Sequence, residues 1–262
     1  PIAITVEGAN ILTRSLIVFG QGAIRCHPFV LKELEAAENN DTKMGLYNFD
    51  KALFAHIGYA ISNLSRSLIL AITNARYSKT PVNTNTKRYY QHINRYSAAF
   101  AVASDFAMLS LGGELKKKEL LSARLGDVLS SMYLASTVLK HYENQGCKPN
   151  DLPLVQWSVR TLMYEAQEKL HNFLKNLPNR PLASFLRCCI FPRGRSYSPP
   201  PDELTKKVSA IITTCGDARE RLSEYAYTIL EDGNPLGLLQ EALELSEKTG
   251  LIEAKLRQAR KD

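Results

Sequence analysis

The segment KKKELLSARLGDVLSSMYLASTVLKHYE, residues 116–143, carries Leu121, Leu125, Val128, Met132, Ala135, Leu139 and Tyr142 at alternating spacings of four and three. That period belongs to a helix with one apolar stripe, and a stripe of this length needs other helices to cover it. Working outward, three more segments show the same texture. Residues from about Leu46 to Ala75 place Leu53, Ile57, Ala60, Leu64, Leu68 and Ala71 on one stripe, and the helix is expected to stop near Thr80-Pro81. Residues from about Thr86 to Leu111 carry two stripes, Tyr89, Ile93, Tyr96, Phe100, Ala103 and Ala107 on one and Val102, Phe106 and Leu109 on the other, before a stop at Gly112-Gly113. The fourth segment opens at Asp151, a natural N-cap, with Pro153 in the first turn. It then aligns Val155, Val159, Leu162, Ala166, Leu170, Phe173 and Leu177. Short polar connections between long helices favour antiparallel neighbours, so the fold class expected is all-α, an antiparallel bundle of four long helices.

Beyond Pro178 the texture changes. A short apolar piece, Leu182 to Phe191, leads into a loop rich in Pro, Gly and Ser through Pro201. Asp202 can cap a helix to about Thr214, and a last amphipathic helix is expected from Pro235 to Arg260. No run preserves a motif at a repeat of solenoid length.

Net charge is +7 but uneven: +3 over residues 1–114, +7 over 115–200 and −3 over 201–262. Lys169, Lys175, Arg180, Arg187, Arg193 and Arg195 follow one another without an acid. Together with Phe185, Leu186, Ile190 and Phe191, they leave two readings of residues 182–195: contact with an anionic membrane surface, or apolar residues docked on the bundle with solvated arginines. No nucleic-acid reading motif accompanies the charge. The five cysteines, Cys26, Cys147, Cys188, Cys189 and Cys215, show neither a C-x-x-C spacing nor a zinc framework, and fit free thiols in a reducing compartment. No metal site is expected. Histidines 27, 56, 92, 141 and 171 are scattered, with His92 expected to be packed beside Tyr89 and Tyr96. No apolar run reaches the ~18 residues of a membrane span; the longest, from Ala98 to Leu111, is broken by Ser104 and Asp105. The opening Pro1-Ile-Ala-Ile-Thr-Val shows no signal-peptide pattern and no initiator methionine, as expected of a piece of a longer protein.

The first twenty residues hold the sharpest chemical signal. Val6-Glu7-Gly8-Ala9-Asn10-Ile11-Leu12-Thr13-Arg14 resembles the Glu-Gly-Thr-Asn-x-Ile-x-Arg segment of flavin-dependent acyl-CoA dehydrogenases. The continuation through Gly20-Gln-Gly-Ala-Ile-Arg-Cys-His-Pro28 extends the likeness. So do Thr86-Lys-Arg-Tyr-Tyr-Gln-His92, Leu121-Ser-Ala-Arg-Leu-Gly-Asp127 and Asp151-Leu-Pro-Leu154, and together they reach to about Leu239. The resemblance, to the long bacterial members of that family, implies that Glu7 is the base taking the α-proton of an acyl-CoA thioester while the β-hydride passes to FAD. It implies that Gly8, Ala9 and Asn10 lie near the flavin. It further implies an electron-transfer flavoprotein as electron acceptor, a homodimer, and a bacterial cytoplasmic setting, peripheral on the inner face of the cytoplasmic membrane if residues 182–195 touch lipid. Two residues depart from the pattern: Val6 stands where an aromatic is usual, and Ala9, where threonine is usual, has no hydroxyl for the cofactor. A glutamate before a glycine at a helix entry suits a base that must approach a ligand closely. No Gly-rich phosphate loop is present, since Gly20-Gln-Gly22 and Leu111-Gly-Gly113 read as helix ends, so FAD would be bound mainly by domains outside this chain. Residues 1–44 are expected to complete a catalytic bundle domain and residues 45–262 to form a helical extension. The rival reading is a non-catalytic helical interaction or membrane-docking module in which Glu7 is incidental.

Overall fold

The computed structural model describes residues 2–82 and 85–260. Helices α1 (Ile2–Leu12), α2 (Gly22–Cys26), α3 (Val30–Ala37), α4 (Thr42–Ile72), α5 (Lys87–Leu111), α6 (Glu114–Lys117), α7 (Glu119–Asn144), α8 (Leu152–Asn176), α9 (Arg180–Ile190), α10 (Asp202–Thr213), α11 (Asp217–Leu222) and α12 (Pro235–Ala259) follow in order. A π-helical stretch, Thr13–Gln21, joins α1 to α2, and a 3-10 turn, Pro149–Asp151, leads into α8. Among the described residues there is no strand, so the chain is all-α as expected.

Two compact units make up the chain. The first comprises Pro1–His141 and Ser158–Pro199, the second Tyr142–Trp157 and Pro200–Asp262. In the first unit α4 and α5 run antiparallel. The Arg88 guanidinium, at the start of α5, donates to the carbonyl of Asn74 just beyond α4 (3.0 Å). Further along, His27 bonds to Asp105 late in α5 while its ring lies 4.6 Å from that of His56 in mid-α4. The Asp127–Lys169 pair joins α7 to α8 (2.8 Å), and the short connection between them makes that pair antiparallel too.

The core follows the expected stripe of α7 closely: Leu121, Leu125, Val128, Met132, Ala135 and Leu139 are all buried. Helix α8 buries Val159, Ala166, Leu170 and Phe173, and Leu177 is buried just past its end, with Met163 fully enclosed in place of the expected Leu162, which is only half-buried. Helix α4 departs from expectation. Of its predicted stripe only Ala71 is buried, Ile57 is exposed, and the inward face is Gly45, Ala52, Asn63, Ser67 and Ala71. Small residues let α4 lie close to its neighbours, and apolar residues all round it left periodicity unable to choose a face.

Helix boundaries moved for identifiable reasons. Asp41 caps α4 through the amides of Lys43 and Met44 (3.0 and 3.2 Å), starting it before Leu46. The predicted helix from Lys116 breaks at Lys118, where the buried Ser122 hydroxyl donates to the Leu115 carbonyl (2.9 Å). Asp151 does not act as a free cap, because Arg221 takes both its carboxylate oxygens (2.5 and 3.2 Å). Pro201, rather than Asp202, occupies the N-cap position of α10. The piece expected from Leu182 is α9, capped by Asn179 at the Leu182 amide (3.1 Å). Its Ala183, Leu186, Cys189 and Ile190 are buried and Phe185 meets Phe106 edge-on (6.4 Å), so the apolar face of 182–195 is spent on the bundle. Arg195 pairs with Glu168 (2.8 Å), and Arg193 donates to the Ile72 carbonyl (3.4 Å). No helix among the described residues is long and apolar enough to cross a membrane.

Candidate functional site

The residues singled out for chemistry lie on α1. Glu7, Gly8, Ala9 and Asn10 are all exposed, inside the helix rather than at its entry, which corrects the expected N-terminal placement of Glu7. Glu7, Asn10 and Arg14 fall at i, i+3 and i+7, the spacing of one helix face. Nothing lies within 4 Å of where a side chain at Gly8 would begin, so a flat ring can approach the backbone there.

Arg14 is where the first family-like segment meets the bundle. Its Nε and Nη2 donate to Oδ1 and Oδ2 of Asp127 (2.5 and 2.6 Å), and Lys169 Nζ donates to Oδ2 (2.8 Å). A forked guanidinium on a carboxylate is the strong form of this contact. Burial alone would raise the Asp127 carboxyl, but the bonds from Arg14 and then Lys169 outweigh it and hold the group below its ordinary value. The bond to Asp127 also raises Arg14. The neighbouring Gly126 permits the approach: a Cβ there would stand 3.1 Å from the Arg14 carbonyl. Two of the quoted segments, Glu7–Arg14 and Leu121–Asp127, are thus brought together across the fold.

A second cluster was not expected. His27 Nδ1 accepts the backbone N–H groups of Phe29 and Val30 (3.2 Å each), which places its proton on Nε2, and Nε2–H donates to Asp105 Oδ1 (2.9 Å). Alongside, His56 Nδ1 bonds to Glu33 Oε1 (2.8 Å), and Phe29 stacks on His56 at 5.8 Å. His27, His56 and Asp105 bring ligand atoms within 4.8 Å of one another. A metal-bound histidine normally donates from its other nitrogen; His56 has Glu33 there, but His27 Nδ1 is an acceptor, so His27 and Asp105 fit a hydrogen-bonded pair better than two metal ligands. An adjoining cavity of about 370 Å³ is lined by Val18, Phe19, Phe100, Met108, Leu129 and Met132, with His27 and Asp105 among its polar residues. The signal for this cluster was in the sequence: Ser104-Asp105 interrupt an otherwise apolar helix, and a polar pair in that setting needs partners.

His92 is packed, as expected, but beside Tyr197 (4.9 Å between rings) and with Arg88 Nη2 at 3.1 Å from its Nε2. Burial, then the Arg88 and Arg95 guanidinium groups, push it down to about 3. Fully enclosed Gln167 accepts from the Tyr197 amide (2.9 Å) and donates to its carbonyl (3.0 Å), tying the Pro/Gly/Ser-rich loop to α8.

No solved structure matches the chain. A family model described as acyl-CoA dehydrogenase, C-terminal, bacterial type, matches residues 24–262, leaving Glu7 outside the matched part. Covering well over half of the chain, that match shows that the chain belongs to the bacterial-type acyl-CoA dehydrogenase C-terminal family.

Proposed function

We propose that this chain is the C-terminal part of an FAD-dependent acyl-CoA dehydrogenase that converts medium- and long-chain acyl-CoA to trans-2-enoyl-CoA, with Glu7 as the base. The observation that carries the reading is the anchoring of Arg14, the last residue of the Glu7 motif, onto Asp127 and Lys169 of the family-matched helices. That contact makes the Glu7 helix part of the same folded body as α7 and α8.

Open space over Gly8 and the exposed Asn10 amide suit the edge of a flavin, while the described residues offer no cradle for its phosphates. FAD, when bound, takes the β-hydride of the substrate. Glu7 removes the α-proton. A carboxylate base strengthens when substrate expels the water around it. Ala9 offers only a methyl group where a hydroxyl would reach the cofactor. Residues 1–44 complete the catalytic bundle domain and 45–262 form its helical extension. Electrons leave to an electron-transfer flavoprotein, and the intact protein works in the bacterial cytoplasm. Membrane contact through 182–195 is the weaker part of the reading, since α9 buries its apolar face in the protein.

The test compares Glu7→Gln with wild type in the intact protein, using palmitoyl-CoA and an artificial electron acceptor. Gln keeps the shape and cannot accept the proton, so turnover falls by roughly 10² or more with the flavin spectrum unchanged. Survival of turnover with flavin bound moves the base elsewhere and favours a docking module instead. The isolated 262-residue chain is expected to be inactive.

A further inference from the structure

Helix α12 packs by a narrow face of Gly237, Gln240, Leu243 and Glu247. Gln240 Oε1 accepts from Arg219 (2.6 Å), Glu247 Oε1 accepts from the Cys215 amide (2.6 Å), and Gly237 is buried against the Ile229 carbonyl, where a Cβ would not fit. Left outside are Leu238, Ala242, Leu245, Thr249, Ile252 and Leu256, alternating at four and three. The four large ones are 57, 52, 58 and 55 % exposed. A helix that packs through Gln240, Leu243 and Glu247 while presenting an unbroken heptad seam to solvent leaves most of its apolar side uncovered. The seam has the pattern of a coiled coil, with Ala242, Thr249 and Leu256 at a and Leu238, Leu245 and Ile252 at d.

We propose that α12 is a self-association surface, pairing antiparallel with α12 of a second copy of this chain about a twofold axis beside residue 247. The seam is complementary to its own reverse. Antiparallel helices set a against d, so Ala242 faces Ile252 of the partner subunit, Thr249 faces Leu245 of the partner subunit, and Leu256 faces Leu238 of the partner subunit. Every layer but the outermost then matches a small residue with a large one. At the flanking g positions Glu241 meets Lys255 of the partner subunit, twice by symmetry, on either side of Lys248, which meets its own copy at the axis. A parallel pairing stacks Ala on Ala and Thr on Thr, and its charges offset, Lys248 meeting Glu253 of the partner subunit while Lys255 meets Arg260 of the partner subunit. Isologous pairing by one self-complementary patch is the commonest route to a dimer.

The test is sedimentation of the full chain across a concentration series. Wild type is expected to dimerise reversibly, and Leu245→Glu combined with Ile252→Glu to be monomeric with unchanged helicity, since both side chains face solvent. Glu241→Lys or Lys255→Glu alone raises the dissociation constant about tenfold, and the two together restore it. Within one helix these residues are about 21 Å apart, so rescue arises only between copies. Three results overturn the proposal: a wild type that stays monomeric at high micromolar concentration, a dimer indifferent to the Leu245 and Ile252 changes, or a double swap that fails to restore pairing.

Discussion

Asp127 shows how one side chain can tie distant sequence together. It accepts three hydrogen bonds from two cations, one of them 113 residues away in sequence. Replacing it by alanine leaves Arg14 and Lys169 side by side without their shared anion. Both cations are about half exposed, so water screens much of the loss. The expected cost is about 1–2 kcal/mol, read as a lower urea midpoint for the full chain, with Asp127→Asn between alanine and wild type. An unchanged midpoint would mean that the triad contributes nothing. His92 gives a pH dependence of known sign. Its folded pKa, about 3, lies below the ordinary 6.5, so below pH 6.5 the unfolded chain takes a proton that the folded chain refuses. Stability therefore falls as pH drops from about 6.5 towards 3, by roughly 2–3 kcal/mol over the first two units. His171, also lowered, adds in the same direction. Urea midpoints at several pH values for wild type and His92→Gln check this, the variant showing a flatter slope. At this scale the sequence was partly legible. Arg14 and Asp127 both stood in recognised segments, but nothing in helical periodicity says which residue meets which across the fold. The His27–Asp105 pair was visible only as an unexplained polar break in an apolar run.

Some elements were read well although apolar residues also stood outside the buried stripe, as Leu120, Tyr133 and Leu134 do on α7. Helix α7 is such a case: its four-three stripe is the buried core. Helix α4 is the opposite case. Large apolar residues stand on several of its faces, yet the buried face is the one of small residues, Gly45, Ala52, Asn63, Ser67 and Ala71, which allows close packing against α3 and α5. Tyr47, Phe54 and Ile61 are left in solvent as a consequence. Caps explain most of the shifted boundaries. Asp41 and Asn179 cap where expected chemistry allows, whereas Asp151 is diverted by an arginine 70 residues later. A capping residue is legible in sequence; a competitor for its carboxylate is not. The stretch 182–195 teaches the same lesson about charge. Its arginines suggested an anionic surface, but Ala183, Leu186, Cys189 and Ile190 share one face of α9 that points into the protein, with Phe185 left half exposed. The alternation of apolar and basic residues was legible, and what it packed against was not.

On the scale of the whole molecule, burial is unevenly distributed. The first unit holds the fully enclosed side chains, among them Tyr96, Leu125, Leu139, Met163, Phe173 and Leu186. The second unit relies on a handful of smaller contacts: Val208 and Ala218, the Asp151–Arg221 pair, the Trp157 indole donating to Thr205 (3.2 Å), and Asn234 donating to the Tyr227 and Ile229 carbonyls. Between α11 and α12, Tyr225 is 95 % exposed and its neighbours are little better covered. Opening of a segment costs what its buried contacts contribute, so the two units should open at different free energies. Amide hydrogen exchange on the dilute chain is expected to be slowest in α5, α7 and α8, at the level of global unfolding, and faster by roughly 10² or more in α11, residues 223–234 and α12. Raising the protein concentration should slow exchange in α12 alone, because pairing with a second copy covers its heptad seam and leaves the first unit unchanged. Equal protection in α8 and α12 at low concentration would show that the second unit is held by more than its visible contacts, while α12 exchange that ignores concentration would count against its pairing.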